Sequence, residues 1–144
     1  MKHRVYLNFT INDFEDISHE EISQRLGMNP FRIYVKGEKR NPNFPAIGPF
    51  WRANVWIMAS PLDEYRSFED QMNATLDIIE PKIDLLRPFC EKYRCEFACA
   101  VYLRFDNGES IPSIYLGSRY NRLIKELNIG FDVDLYVFPN HEEL

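Results

Sequence analysis

The feature that most constrains this chain is an alternation of period two that recurs in five separate segments. Val5, Leu7, Phe9 and Ile11 alternate with Tyr6, Asn8 and Thr10. Phe31, Ile33 and Val35 alternate with Arg32, Tyr34 and Lys36, while Trp51, Ala53, Val55, Ile57 and Ala59 fall on every second position of a third segment. Cys95, Phe97, Cys99, Val101, Leu103 and Phe105 form a fourth row, and Phe131, Val133, Leu135 and Val137 a fifth. A strand turns successive side chains to opposite faces, so each segment reads as a strand with one buried face. A doubly covered parallel sheet would instead show near-continuous apolar runs. The pattern therefore predicts a sheet with helices on one face, the other turned to water or a partner.

Between these segments the period changes. Ser18 with Glu21 forms a capping box, and Ile17 and Ile22 occupy the staple positions, so a short helix is expected to start there and to stop at Leu26-Gly27 before Pro30. Ser67 can cap a long stretch in which Met72, Leu76, Ile79, Ile83, Leu86, Cys90 and Tyr93 recur at spacings of four and three. Pro81 and Pro88 interrupt it, which predicts a kinked helix or two abutting helices. Ser118 is expected to cap a last helix carrying Tyr120, Leu123, Ile124 and Leu127. Asp106-Asn107-Gly108 signals a turn, and Gly37 to Pro49, with Pro42 and Pro45, reads as a loop. The tail from Pro139 to Leu144 reads as frayed.

The order β-α-β-β-α-β-α-β predicts an α+β fold with a ferredoxin-like βαββαβ core, an extra α-β unit, and a five-stranded, mainly antiparallel sheet. The whole of residues 1–144 reads as a single domain, since 144 residues suffice for one core and no linker or repeat divides them.

Composition narrows the class of protein. Net charge −5 with 15% aromatic residues suits a folded, soluble chain and argues against nucleic acid and anionic membranes. The basic start Met1-Lys2-His3-Arg4 is followed by Asn8 and Thr10 where a secretory leader needs an apolar core, and no apolar run reaches membrane-spanning length. Three cysteines, Cys90, Cys95 and Cys99, make a disulfide framework improbable. A cytoplasmic location is the expectation.

Three local patterns carry a resemblance: Leu26-Gly27-Met28-Asn29-Pro30 before a strand ending Lys36-Gly37, Trp51 opening the next strand, and Asp132-Val133-Asp134-Leu135-Tyr136 in the last. In this order, and with the long helix between, the chain resembles a bacterial family of small proteins known as domain of unknown function 4279. The resemblance implies a small bacterial α+β domain over nearly the whole chain. It supplies no activity, so no catalytic residue is carried over. It associates the chain with single-domain immunity or accessory factors.

Chemistry-bearing residues are sparse. His3, His19 and His141 are far apart in sequence, and Cys95 and Cys99 would stand about 13 Å apart on one strand, too far to share a metal. Cys90 lies on the apolar helix stripe, no nucleophile elbow or phosphate loop occurs, and no cofactor, metal or catalytic residue is expected. Asp132 and Asp134 would project together, about 6 to 7 Å apart, with Arg52 or Arg104 as cross-strand partners. The same pleat turns Tyr6, Tyr34, Trp56, Met58, Tyr102, Tyr136 and Phe138 outward among Arg32, Lys36, Arg52 and Arg104, a surface suited to stacking or burial against a partner.

The binding residues expected are Tyr34, Arg52, Trp56, Tyr102, Asp132, Asp134 and Tyr136. Residues 11 to 21 add five carboxylates, Asp13, Glu15, Asp16, Glu20 and Glu21, with no Lys or Arg. The leading expectation is a non-enzymatic binding protein, an immunity-type antidote to a basic toxin in its specific form. The alternative is a small-molecule binder or enzyme with Asp132, Asp134 and Arg52 around a pocket beside Trp56. Self-association through the aromatic face is the third reading.

Overall fold

The structure is a computed structural model that describes residues 2–41 and 49–140. Pro42, Pro45 and His141, and the question of whether the 37–49 loop folds over the sheet, lie outside the described residues or depend on them.

The first strand, β1 (Arg4–Asn12), runs down the middle of a five-stranded mixed sheet. It is flanked by β3 (Val55–Ala59) and β4 (Arg94–Phe105), both antiparallel to it. Outside these lie β2 (Arg32–Tyr34), antiparallel to β3, and β5 (Gly130–Pro139), parallel to β4. The order across the sheet is β2-β3-β1-β4-β5.

The helices start and stop where their end groups find partners. In α1 (His19–Leu26) the Ser18 hydroxyl accepts from the Glu21 amide, and Gly27 ends the helix at φ 66°, the left-handed conformation that glycine adopts without a Cβ penalty. Ser67 caps α2 (Phe68–Ile79) by accepting from the Asp70 amide. Pro81 falls in a 3₁₀ turn (Glu80–Lys82), after which α3 (Ile83–Lys92) continues with Pro88 inside it, so the long apolar stripe is two abutting helices. The last helix, α4 (Ser118–Glu126), is entered from Gly117, without a side-chain cap. Ser118 is its first residue and not its cap.

One core gathers Val5, Leu7, Phe9 and Ile11 of β1 and Cys95, Phe97, Cys99 and Val101 of β4 with helix residues that include Ile22, Met72, Leu76, Leu86 and Leu123. At the two edges the expected burial fails. Ile33 of β2 and Phe31 just before it are exposed, as are Leu135 and Val137 of β5, because an edge strand extends beyond what the core covers.

The third strand differs more sharply from expectation. It spans only Val55–Ala59, and its phase is inverted: Trp56 and Met58 lie in the core, opposite Ile11 and Phe9 in register. Val-Trp-Ile-Met-Ala is apolar on both rows, so period two does not fix which row faces inward. The larger pair takes the core, and the Trp56 indole N–H donates to the Ser23 hydroxyl at 3.0 Å, which ties β3 to α1.

Candidate functional site

Strand register identifies the side chains that share the face turned away from the core. Asn8 stands opposite Ala59 and Ala98, Thr10 opposite Ile57 and Glu96, and Asn12 opposite Val55 and Arg94. Tyr34 joins the same face opposite Val55. Its middle is thus built from small or short polar groups. Thr10 and Asn12 are buried, and Asn12 Nδ2 donates to Thr10 Oγ1 at 2.8 Å and to the Arg94 carbonyl at 2.9 Å, so this floor is held rigidly.

The wall comes from the two arms of the segment between β2 and β3. The Gly37 amide donates to the Trp51 carbonyl, the Trp51 amide to the Glu38 carbonyl and the Arg40 amide to the Pro49 carbonyl, at 2.8 to 2.9 Å. This short antiparallel pairing, with Lys39 bridged to Phe50, brings Trp51 and Arg40 back over the sheet. Trp51 stacks on Tyr34 at 3.6 Å between ring centres and 14° between planes, and the Arg40 guanidinium lies 4.8 Å from the Trp51 ring. Asn54 fixes the corner: its side chain accepts from the Lys36 amide and donates to the Phe14 carbonyl.

Floor and wall border an open, shallow hollow of about 530 Å³. Among the described residues, Arg40, Arg52 and Arg94 line it with a single carboxylate, Glu96. Arg94 is engaged by Asp13 and Glu96, and the ion pairs of the described residues include none of Arg40 or Arg52. In a chain of net charge −5, this hollow is locally cationic.

Further along the same face Tyr102 stacks on Tyr136 at 4.9 Å and meets Tyr6 edge-on at 5.6 Å, with the Arg4 guanidinium 5.1 Å from the Tyr102 ring. Tyr102 is half-buried between its neighbours, while Tyr6 and Tyr136 stay exposed.

The expected binding residues therefore separate. Tyr34 and Arg52 line the hollow; Tyr102 and Tyr136 belong to the second aromatic group; Trp56 is excluded from both because it is wholly buried. Asp132 and Asp134 do share this face, beside Ala98 and Ala100. They lie three strand spacings from β3, about 14 Å, so Arg52 is not their partner and the three do not frame a pocket beside Trp56. Arg104 is not their partner either: it is buried, with its guanidinium donating to the Pro139 carbonyl and lying over Phe138.

The acidic segment is also resolved into pairs. Asp13 meets Arg94, Glu15 meets Lys36, Asp16 meets Lys92 and Glu21 meets Arg25. The Lys92 ammonium, helped by the Tyr93 hydroxyl, holds the Asp16 carboxyl down at about 2. The three cysteines are buried; burial raises Cys99 to about 11, and a thiol contact with Cys90 together with burial raises Cys95. His19 ties α1 to the Tyr34 carbonyl at 2.8 Å, and His3 accepts from the Arg104 amide. Among the described residues no cluster of three or more His, Cys, Asp or Glu could hold a metal ion, and no helix is long and apolar enough to cross a membrane.

Arg40 and Arg94 were not legible as site residues. The one sequence signal for Arg40 is the company of Lys39 and Trp51 around the proline-rich segment; Arg94 has none.

The molecule is thus an α+β domain with a cationic, aromatic-walled hollow on a mixed sheet. The chain belongs to the family described as "Domain of unknown function (DUF4279)", whose match covers residues 2–138. No curated protein and no solved structure matches it.

Proposed function

We propose that this protein is a binding protein, and that its ligand is a small organic anion, a carboxylate or phosphate with an apolar or aromatic body, seated in the hollow beside Tyr34 and Trp51. The observation that carries this reading is that Arg40 and Arg52, which enter none of the ion pairs of the described residues, line one aromatic-walled hollow in an acidic chain, beside the ion-paired Arg94. Guanidinium forks match carboxylate and phosphate oxygens two at a time, and the volume lies within the range of small-molecule sites. Val55 and Ile57 on the floor supply contact for the apolar body.

The fold supports the same placement. The order β2-β3-β1-β4, antiparallel throughout, supports a ferredoxin-like core with α4 and β5 appended and the helices on the core side. A ligand site on the opposite face suits that arrangement. The antidote reading has less support, since a basic toxin would have to displace Arg94, Lys36 and Lys92 from the carboxylates they already neutralise.

The test is a melting-temperature series with benzoate, phenyl phosphate and indole-3-acetate. Stabilisation is expected from at least one, growing with concentration as binding to the native state requires, and lost in Arg52→Ala. No shift from any of them, or an equal shift in Arg52→Ala, would count against the hollow.

A further inference from the structure

We infer that two copies of this chain join edge to edge through β5, antiparallel about a two-fold axis at Leu135, extending each five-stranded sheet into one of ten strands. β5 is the last strand in the sheet order, ten residues long, and pairs continuously with β4 along its inner side. Its outer row of backbone N–H and C=O groups has no strand beside it among the described residues. Such an edge is a template for another strand, and monomeric proteins blunt it with charged side chains, lysine above all, or with bulges, prolines or brevity. The opposite edge is blunted in that way: β2 is three residues long. β5 has no Lys or Arg, no bulge in its register and its only proline at the end; its charges, Asp132 and Asp134, both lie on the face away from the core.

Its apolar row is open as well. Leu135 is 63% and Val137 61% exposed, with Val133 and, on neighbouring β4, Phe105 exposed beside them. Register places this row on the core side of the sheet, opposite Cys99, Val101 and Leu103.

The sequence of β5 argues for a second copy as the occupant. In a two-fold antiparallel pair, residues meet when their numbers have a constant sum, and the core sides stay together only when that sum is even. Centring the axis on Leu135 sets Val133 against Val137 and Leu135 against itself, so the apolar rows pack across the junction. On the other face Asp134 meets Tyr136, whose phenol can donate to the carboxylate, and Asp132 meets Phe138. Moving the axis one residue to Asp134 would set Asp134 against its own copy, a repulsive contact. Moving it to Tyr136 avoids that but shortens the overlap. The strand is thus self-complementary in its longest charge-compatible register, which a heterologous partner would not require. Both hollows lie at the far edges of the joined sheet, so the junction stands or falls independently of ligand binding.

Sedimentation velocity of the full chain from micromolar to millimolar concentration tests this. The expected mass is twice 17.2 kDa, falling to the single value in Leu135→Lys and staying doubled in Tyr65→Lys, an equally exposed position away from β5. Mild oxidation should cross-link Leu135→Cys as a disulfide dimer, each new bond passing two electrons to the added oxidant, and should leave Asp134→Cys uncross-linked. Should Leu135→Lys lose its native circular dichroism, the cross-linking pair decides. A monomer throughout, a dimer untouched by Leu135→Lys, or preferential cross-linking of Asp134→Cys would each overturn the inference.

Discussion

Replacing Trp56 by alanine separates the observed phase of β3 from the phase its alternation suggests. The indole is wholly buried between β3 and the helices, beside Phe9, Leu26 and Ile79. Truncation removes its packing, leaves a cavity in a close-packed interior, and deletes the 3.0 Å hydrogen bond to Ser23. Ser23 also donates to the His19 carbonyl, so no hydroxyl is stranded and the cavity dominates the cost. Buried Trp to Ala costs about 3–5 kcal/mol. For a chain of 144 residues this corresponds to a fall in Tm of roughly 10–17 °C. Urea unfolding followed by circular dichroism measures the loss directly. Were Trp56 on the face away from the core, the loss would stay within about 0.5 kcal/mol, and that result would refute the assigned register.

Other perturbations probe separate parts of the structure. Gln71 is buried and its side-chain amide donates to the carbonyls of Val5, Asp63 and Arg66, so Gln71→Leu should cost about 1–3 kcal/mol in chemical denaturation by leaving buried acceptors unpaired. Gly27→Ala forces a Cβ into the left-handed region at φ 66° and should destabilise by about 1 kcal/mol, read as a lower urea midpoint at unchanged slope. The Asp16 carboxyl should titrate at about 2 by NMR, and Lys92→Met should move that titration upward towards 3.8. Because the folded value is depressed, the pair contributes stability above the ordinary carboxyl range and loses it as pH falls through about 2, a loss that Lys92→Met should reduce, the Tyr93 hydroxyl bond remaining.

The elements were legible where one physical signal dominated. Ser18, Gly27 and Ser67 mark helix ends because caps satisfy specific backbone groups, and the stripe from Met72 to Cys90 survives two prolines because the buried face of α2 resumes in α3 after the 3₁₀ turn. β1 read correctly, and β4 as far as Leu103, because their two rows differ strongly in polarity; Phe105, expected inward, is exposed at the strand's end. β3 did not, since both of its rows are apolar, and β5 showed an inward pattern over a stretch the helices do not reach. The hollow was half visible. Tyr34 and Arg52 fall within it, but Arg40, Trp51 and Arg94 are gathered by backbone pairing between distant arms and by strand order, neither of which residue spacing encodes. For the same reason Asp132 and Asp134 could not be separated from Arg52 before the strand order was known.

The central claim, an anion seated against Trp51, is tested most directly by intrinsic fluorescence. The chain has two tryptophans, of which Trp56 is sealed in the core and Trp51 lines the hollow. Titration with phenyl phosphate should change the emission saturably, with the change weakened by added salt, absent in Trp51→Phe and lost in Arg52→Ala. A saturable change that persists in Trp51→Phe, or no change for phenyl phosphate and benzoate alike, would contradict the account.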